Sequence, residues 1–362
     1  MAITETYVDP AIAGASGAGT VGDPYGDLQH ALDTMTRDAT NGDRINIKAG
    51  TDEVLAAALD LSTYGEPTED APLVFQGYAT AAEDGGIGGI SGAATYSVFN
   101  STTLDYISFI DLHCHNSGAA VIIRADRHNN IINCEIDNSS GNGLQFGSYN
   151  IVSNTHIHNC GTSGISAGAG IFISHCYFEN GANDFSSAIS AANFSGIVIN
   201  CIFNLDGSSN GIVISSNSSA VSNNTVYSSS GTGSGIKIAG NAEDSIVLNN
   251  YVEGFSGVGG IGIDIDTGSA VSYYQSNRWY NNTTNESLSG AVFNDNDNSA
   301  TAASALTNPG GGDFSVGTDL KAGAYPTSFK GTSTNQYMDI GAAQRREQAI
   351  VIAGRHNVLL RR

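Results

Sequence analysis

Between residues 107 and 293 short apolar runs alternate with polar turns, and the alternation itself recurs at intervals of 20-odd residues. The aligned segments are DLHCHN (111–116), NCEIDN (133–138), NTHIHN (154–159), HCYFEN (175–180), NCIFNL (200–205), NNTVYS (223–228), NNYVEG (249–254) and SNRWYN (276–281). Their fourth positions are Cys114, Ile136, Ile157, Phe178, Phe203, Val226, Val252 and Trp279, spaced 22, 21, 21, 25, 23, 26 and 27 residues apart. The first position is Asp, Asn, Asn, His, Asn, Asn, Asn and Ser. Asn and Asp tolerate left-handed backbone angles and hydrogen-bond their own turn, so this column marks a corner.

Two more apolar runs accompany each segment. One precedes it (NIIN, IFIS, IVIN, SIVL), and one follows through a small residue: GLQF (143–146), GISA (164–167), AISA (188–191), GIVI (211–214), GIKI (235–238), GIDI (262–265) and GAVF (290–293). Alternation with period two buries one face of each run. Three short strands per unit, with no helical signal between them, predict an all-β fold, a single-stranded right-handed parallel β-helix with three strands per coil. Coils then stack about 4.8 Å apart, and each supplies core to its neighbours. A leucine-rich repeat lacks its LxxLxL signature here, and a propeller blade needs about twice the period.

The ends read differently. In PYGDLQHALDTM (24–35), Leu28, Ala31, Leu32 and Met35 share a helical face, which predicts a short N-terminal helix capping the first coil. RINIKAG and PLVFQGY read as early coils around a loop at 52–72. The organisation expected is a capping segment (1–44), the β-helix (45–295), a loop-rich closure (296–344) and a tail (345–362).

Composition narrows the function. Net charge is −21, and between Gly50 and Leu320 the basic residues are Arg124, Arg127, Lys237 and Arg278. That excludes a nucleic-acid surface and an anionic membrane surface. There is no apolar run of about 18 residues to span a membrane, and MAITETYVDPAIAG does not read as a signal peptide. The five cysteines (114, 134, 160, 176, 201) lack CxxC pairs, which argues against a zinc ribbon or a disulfide scaffold. Cys176 and Cys201 fall in neighbouring coils and are expected to be reduced core residues.

The opening TYVDP…GDPYGDLQHALDTM…GDRINIKAGT resembles the first segment of pectin-lyase-like right-handed β-helix proteins, and MDIGAAQ (338–344) resembles the D-IGA closure of choice-of-anchor Q and phage-encoded β-helices. The resemblance implies the fold over residues 6 to about 344. The superfamily it points to includes pectate lyases, polygalacturonases, phage tailspike depolymerases and structural virion proteins. The polygalacturonase motifs NTD, DD and GHG are missing, GIKI shares only letters with RIK, and the pectate-lyase vWIDH pattern is missing too. No catalytic residue is carried over.

With the fourth position inward, the third and fifth face outward. One outward column runs His113, Glu135, His156, Tyr177, Ile202, Thr225, Tyr251, Arg278; the other runs His115, Asp137, His158, Glu179, Asn204, Tyr227, Glu253, Tyr280. Glu135, Asp137 and Glu179 are the catalytic candidates, since glycoside hydrolysis uses carboxyl pairs at about 5 Å or about 6.5–9.5 Å. Glu135 and Asp137 should stand roughly 7 Å apart. His156, His158, Tyr177, Tyr227, Tyr251 and Glu253 are candidates for a glycan or partner face. The ordinary reading of such a face is solvent-facing strand polarity. His113, His115, His156 and His158 alternate as metal ligands can, and Asp264 with Asp266 in GIDIDTG offers two carboxylates to a cation. No cofactor is expected. GVGGIG (257–262) matches GxGxxG but opens a strand, so it lacks a phosphate-binding helix.

The last 18 residues hold Arg345, Arg346, Arg355, Arg361 and Arg362 around the apolar Ile350, Val351, Ile352, Leu359 and Leu360. A basic apolar strand on an acidic body is expected to dock on a partner. Together these features suggest a non-enzymatic bacteriophage virion protein, a capsid decoration or spike. It would be assembled in the host cytoplasm as a homotrimer and held to a capsid or other virion protein through its tail. The alternatives are a polysaccharide lyase or glycoside hydrolase acting on a surface glycan, or a glycan-binding adhesin.

Overall fold

The computed structural model describes residues 3–316, apart from 62–63, 94, 119–120, 181–184, 192–194, 208, 216, 241, 294 and 297. The expected docking residues from Arg345 to Arg362 lie outside the described residues, as does the MDIGAAQ segment. The architecture is a right-handed parallel β-helix with three sheets, of thirteen, eleven and nine strands, running the length of the molecule. The aligned segments form the second sheet, the preceding runs the first and the following runs the third.

The corner column accounts for the coil. All eight of its members, Asp111, Asn133, Asn154, His175, Asn200, Asn223, Asn249 and Ser276, have φ between 51° and 56°. A left-handed residue there turns the chain from the first sheet into the second, and short polar side chains carry it with least strain. Register follows from the corner. Glu135 pairs with His113 and His156, and His156 with Tyr177. The column continues through Ile202, Thr225 and Tyr251 to Arg278.

Inside, like residues stack. Ile165, Ile189, Ile212, Ile236 and Ile263 form one ladder on the third sheet, and Phe178 lies flat on Phe203 with ring centroids 4.7 Å apart. All five cysteines are buried and unbonded. Next to the corner, Asn224, Asn250, Asn277 and Asn298 form a chain of amides, each Nδ2 donating to the next Oδ1 at 3.0–3.1 Å.

The helix Leu28–Thr34 caps the first coil with Leu28, Ala31 and Leu32 buried, and its N-cap Asp27 accepts from the His30 N–H. Two expectations need correction. Asp52–Val54, expected in a loop, is a strand of the second sheet. GAVF does not enter the third sheet: Ala291–Val292 pairs in the first, and Thr284–Leu288 (TNESL) closes the third. That strand stands at the sheet's edge and needs no apolar ladder above it, so Glu286 occupies the column of Ile263 and accepts from the Tyr274 hydroxyl at 2.9 Å.

Candidate active site

The outer face of the second sheet is divided in two by a later segment of the chain, residues 304–316. The hairpin of Leu306–Asn308 and Asp313–Val316 folds back over it. Phe314 meets Tyr177 and Tyr227 edge-on, at 6.1 and 6.0 Å between centroids. Ala305 donates its N–H to the Tyr251 hydroxyl at 2.9 Å, and Ser304 Oγ donates to Glu253 Oε2 at 2.9 Å. Tyr251 is 0% exposed and Glu253 5%. Both point outward, as their alternation requires, yet they form an internal interface instead of a free glycan or partner surface. Tyr227 packs beside them. Burial holds the Glu253 carboxyl above its ordinary range.

The other half, from Asp52 to Glu179, lies outside that small cluster except at its margin, where Tyr177 packs against it. Here four imidazoles and four carboxylates interlock. His113 Nε2 stands 3.1 Å from Asp137 Oδ1, and His115 Nε2 is 2.9 Å from Asp52 Oδ2. His158 Nε2 is 3.1 Å from Glu135 Oε1 and 4.0 Å from Asp137 Oδ2, so one ring bridges the two carboxylates. His156 Nε2 stands 3.5 Å from Glu179 Oε2. The rings of each pair stack at 4.3 Å, and His156 also stacks on Tyr177 at 4.9 Å. The structure thus brings together Glu135, Asp137, Glu179, His156, His158 and Tyr177 from the sequence reading.

Asp52 is the member that sequence reasoning missed. It reaches across an intervening coil because Gly89 lies in between, where any Cβ would collide with the Asp52 carboxylate.

The electrostatics differ from ring to ring. A hydrogen bond to Asp137, outweighing burial, raises the His113 pKa. Burial alone would raise Asp137, but His113 and the flanking imidazoles hold it below the usual carboxylate value. Burial and the neighbouring His158 push His156 down, towards the neutral ring. Its Nε2 is shielded from solvent without a well-formed hydrogen bond. Tyr177 is pushed up to about 12 by burial, so at neutral pH it is a phenol. A neutral ring nitrogen, a phenol and ionised carboxylates side by side can abstract and deliver protons.

Asp264 and Asp266 do not form an open cation site. Lys237, one coil away, lies 3.1 and 3.2 Å from their carboxylates and takes the place a cation would have.

No family model matches the chain, and no curated protein matches it in sequence. Solved structures do. Pectate lyase Pel9A is 12% identical with a TM-score of 0.53, covering 95% of this chain and 98% of its own. The alginate lyase from Paenibacillus sp. str. FPU-7 is 17% identical with a TM-score of 0.48, covering 73% and 97%. The mannuronan C-5 epimerase AlgE4 A-module of Azotobacter vinelandii is 14% identical with a TM-score of 0.42, covering 81% and 96%. At these identities the Pel9A likeness establishes the fold, a pectate-lyase-like parallel β-helix.

Proposed function

We propose that the protein is a polysaccharide-degrading β-helix enzyme whose glycan lies across the outer strip of the second sheet between Asp52 and Glu179. One observation carries the reading. Among the described residues, the hairpin covers Tyr227, Tyr251 and Glu253 and ends on Tyr177, and the carboxylates and imidazoles that are wired together lie outside that cover. Phe314, over Tyr177, forms a wall at one end of the strip.

In this arrangement His156, biased to the neutral ring and only loosely held by Glu179 at 3.5 Å, takes a proton from the sugar. Tyr177, still protonated and stacked on it, returns one to the leaving oxygen. Asp137, held ionised by His113, and Glu135, on His158, fix the rings that position the sugar. This is β-elimination, the lyase reaction: the sugar C–H and C–O bonds break and a C=C bond forms; in a hydrolase the base would take its proton from water instead.

The test is turnover on a panel of pectin, alginate and bacterial capsular polysaccharides, read as reducing ends and unsaturated uronates. His156→Ala and Asp137→Asn are each expected to lower kcat at least about 100-fold, the usual contribution of a positioned acid–base group. Tyr251→Phe, under the hairpin, should leave it within about twofold. Turnover indifferent to His156 and Asp137 would sink the assignment, and saturable binding without product would reduce it to an adhesin.

The second reading, a homotrimeric structural protein of a phage particle, has a different observation in its favour. On the first sheet Ile151, Phe172 and Ile197 are in register and 38%, 38% and 40% exposed. An apolar ladder on an outer face suits a subunit contact. Light scattering should then give three chains per particle, and Phe172→Ser should release single chains. A monomeric wild type argues against it.

A further inference from the structure

We infer that the same strip is a pair of binding sites for divalent first-row transition metal ions, of the zinc or manganese type. The first set is His113, His115 and Asp137, and the second is Glu135, His156 and His158; within each, the ligand atoms lie within 4.8 Å of one another. Both follow one design. Two histidines two residues apart project from one strand, and a neighbouring strand supplies the carboxylate. The central strand Glu135–Ser139 serves both, Glu135 reaching forward to His158 and Asp137 back to His113.

Each set also has a fourth donor at its rim. Asp52 Oδ2 is 2.9 Å from His115 Nε2, and Glu179 Oε2 is 3.5 Å from His156 Nε2. Two imidazoles with two carboxylates match the donor preference of zinc, whereas calcium takes oxygen ligands only. Ligands at about 2.0–2.2 Å from a tetrahedral ion stand about 3.3 Å from one another. The 2.9–3.5 Å contacts already have this spacing, and the wider pairs, up to 4.8 Å apart, would draw in around the ion.

A second line of observation points the same way. His156 Nε2 is shielded from solvent and makes no well-formed hydrogen bond, Glu179 Oε2 standing at 3.5 Å, so a donor nitrogen faces the centre of the set. The Asn159 amide stands 2.9 Å from His158 Nδ1. Turned with its oxygen inward it accepts the Nδ1 proton and frees Nε2 for an ion, the outer-shell support usual for a ligating histidine. The net charge of −21 draws cations toward the strip.

The inference concerns the face assigned to the glycan but rests on donor geometry; an ion on His156 Nε2 takes the lone pair that the proposed reaction uses, so turnover belongs to the metal-free chain, and either reading can fail alone. The full chain, stripped with a chelator, is titrated with zinc chloride and its metal content measured after dialysis. Two ions per chain are expected, bound at least 100-fold more tightly than calcium, with a higher thermal midpoint. His156→Ala with His158→Ala should remove one ion, and His113→Ala with His115→Ala the other. His128→Asn, at an exposed left-handed corner, should remove none.

Should a double variant fold poorly, zinc protection of the four histidines against diethylpyrocarbonate in the wild-type chain gives the same answer. Fewer than one ion per chain, a stoichiometry unchanged in both double variants, or no protection would overturn the inference. Zinc binding together with no glycan turnover in the metal-free chain would leave it intact and remove the proposed activity. Turnover undiminished after chelation, with no zinc bound, would do the reverse.

Discussion

Asn250→Ala should lower the unfolding free energy by about 4 kcal/mol. The Asn250 amide has four partners. Nδ2 donates to Val221 O at 2.9 Å and to Asn277 Oδ1 at 3.1 Å, and Oδ1 accepts from Asn224 N and Nδ2 at 3.0 and 3.1 Å. Asn250 and Asn224 are fully buried. Truncation strands Val221 O and both Asn224 donors where no solvent reaches. Each such group costs about 1–3 kcal/mol. Asn277 Oδ1 loses less, since it keeps the Asn250 backbone N–H at 3.1 Å.

Asn298→Ala, at the partly buried end of the same chain of amides, should cost about half as much. Equilibrium denaturation of the two variants against wild type provides the check. A loss below about 1 kcal/mol for Asn250→Ala would mean that water or neighbours replace the amide.

Glu53→Gln should stabilise the protein by about 3 kcal/mol at pH 8 and by very little at pH 4.5. Glu53 lies under the capping helix at 7% exposure. Burial, and the nearby Asp27 carboxylate, lift its pKa to about 7 from 4.5, against a hydrogen bond from the Leu28 backbone N–H. Below pH 4.5 folded and unfolded chains both hold the proton. Between 4.5 and 7 the folded chain keeps a proton that the unfolded chain releases, so stability falls as pH rises; above 7 the loss is complete.

A gap of about 2.5 pH units at 1.36 kcal/mol each gives the figure. Glutamine keeps the acceptor for Leu28 and has no charge to bury. Thermal midpoints of both proteins across pH 4–9 decide it. Parallel curves with no widening gap above pH 5 would show that Glu53 is hydrated.

Most of the fold was legible because local chemistry repeats. The left-handed Asn column and the period-two alternation fixed which residues face out, and the outward columns have the register the alignment implies. The hairpin was not legible. Its contacts with Tyr251 and Glu253 join residues more than 50 positions apart through three apolar side chains, Ala305, Leu306 and Phe314, in a stretch without period. Outward and exposed are different properties, and only a non-repeating segment separates them here.

Asp52 was hidden for a related reason. The first coils are irregular, and the clue to its reach is a glycine one coil before the histidine column. The pairing of Asp264 with Lys237 was within reach, since GIKI and GIDI align and Lys237 stands directly opposite Asp264.

The strand Thr284–Leu288 has a consequence for how large this object can become. A parallel β-helix presents at its last coil a row of unpaired backbone groups, an open template on which another coil can add. Among the described residues the third sheet stops here, and it stops on Glu286, a carboxylate placed inward where the preceding coils carry isoleucine. A further coil laid on this edge would have to bury its apolar ladder against that acid, whose tether to Tyr274 holds it in place. At the opposite end the helix Leu28–Thr34 covers the first coil with Leu28, Ala31 and Leu32. With a blocked start and a charged finish, molecules that differ only in being copies of one another are discouraged from growing end to end into a fibre.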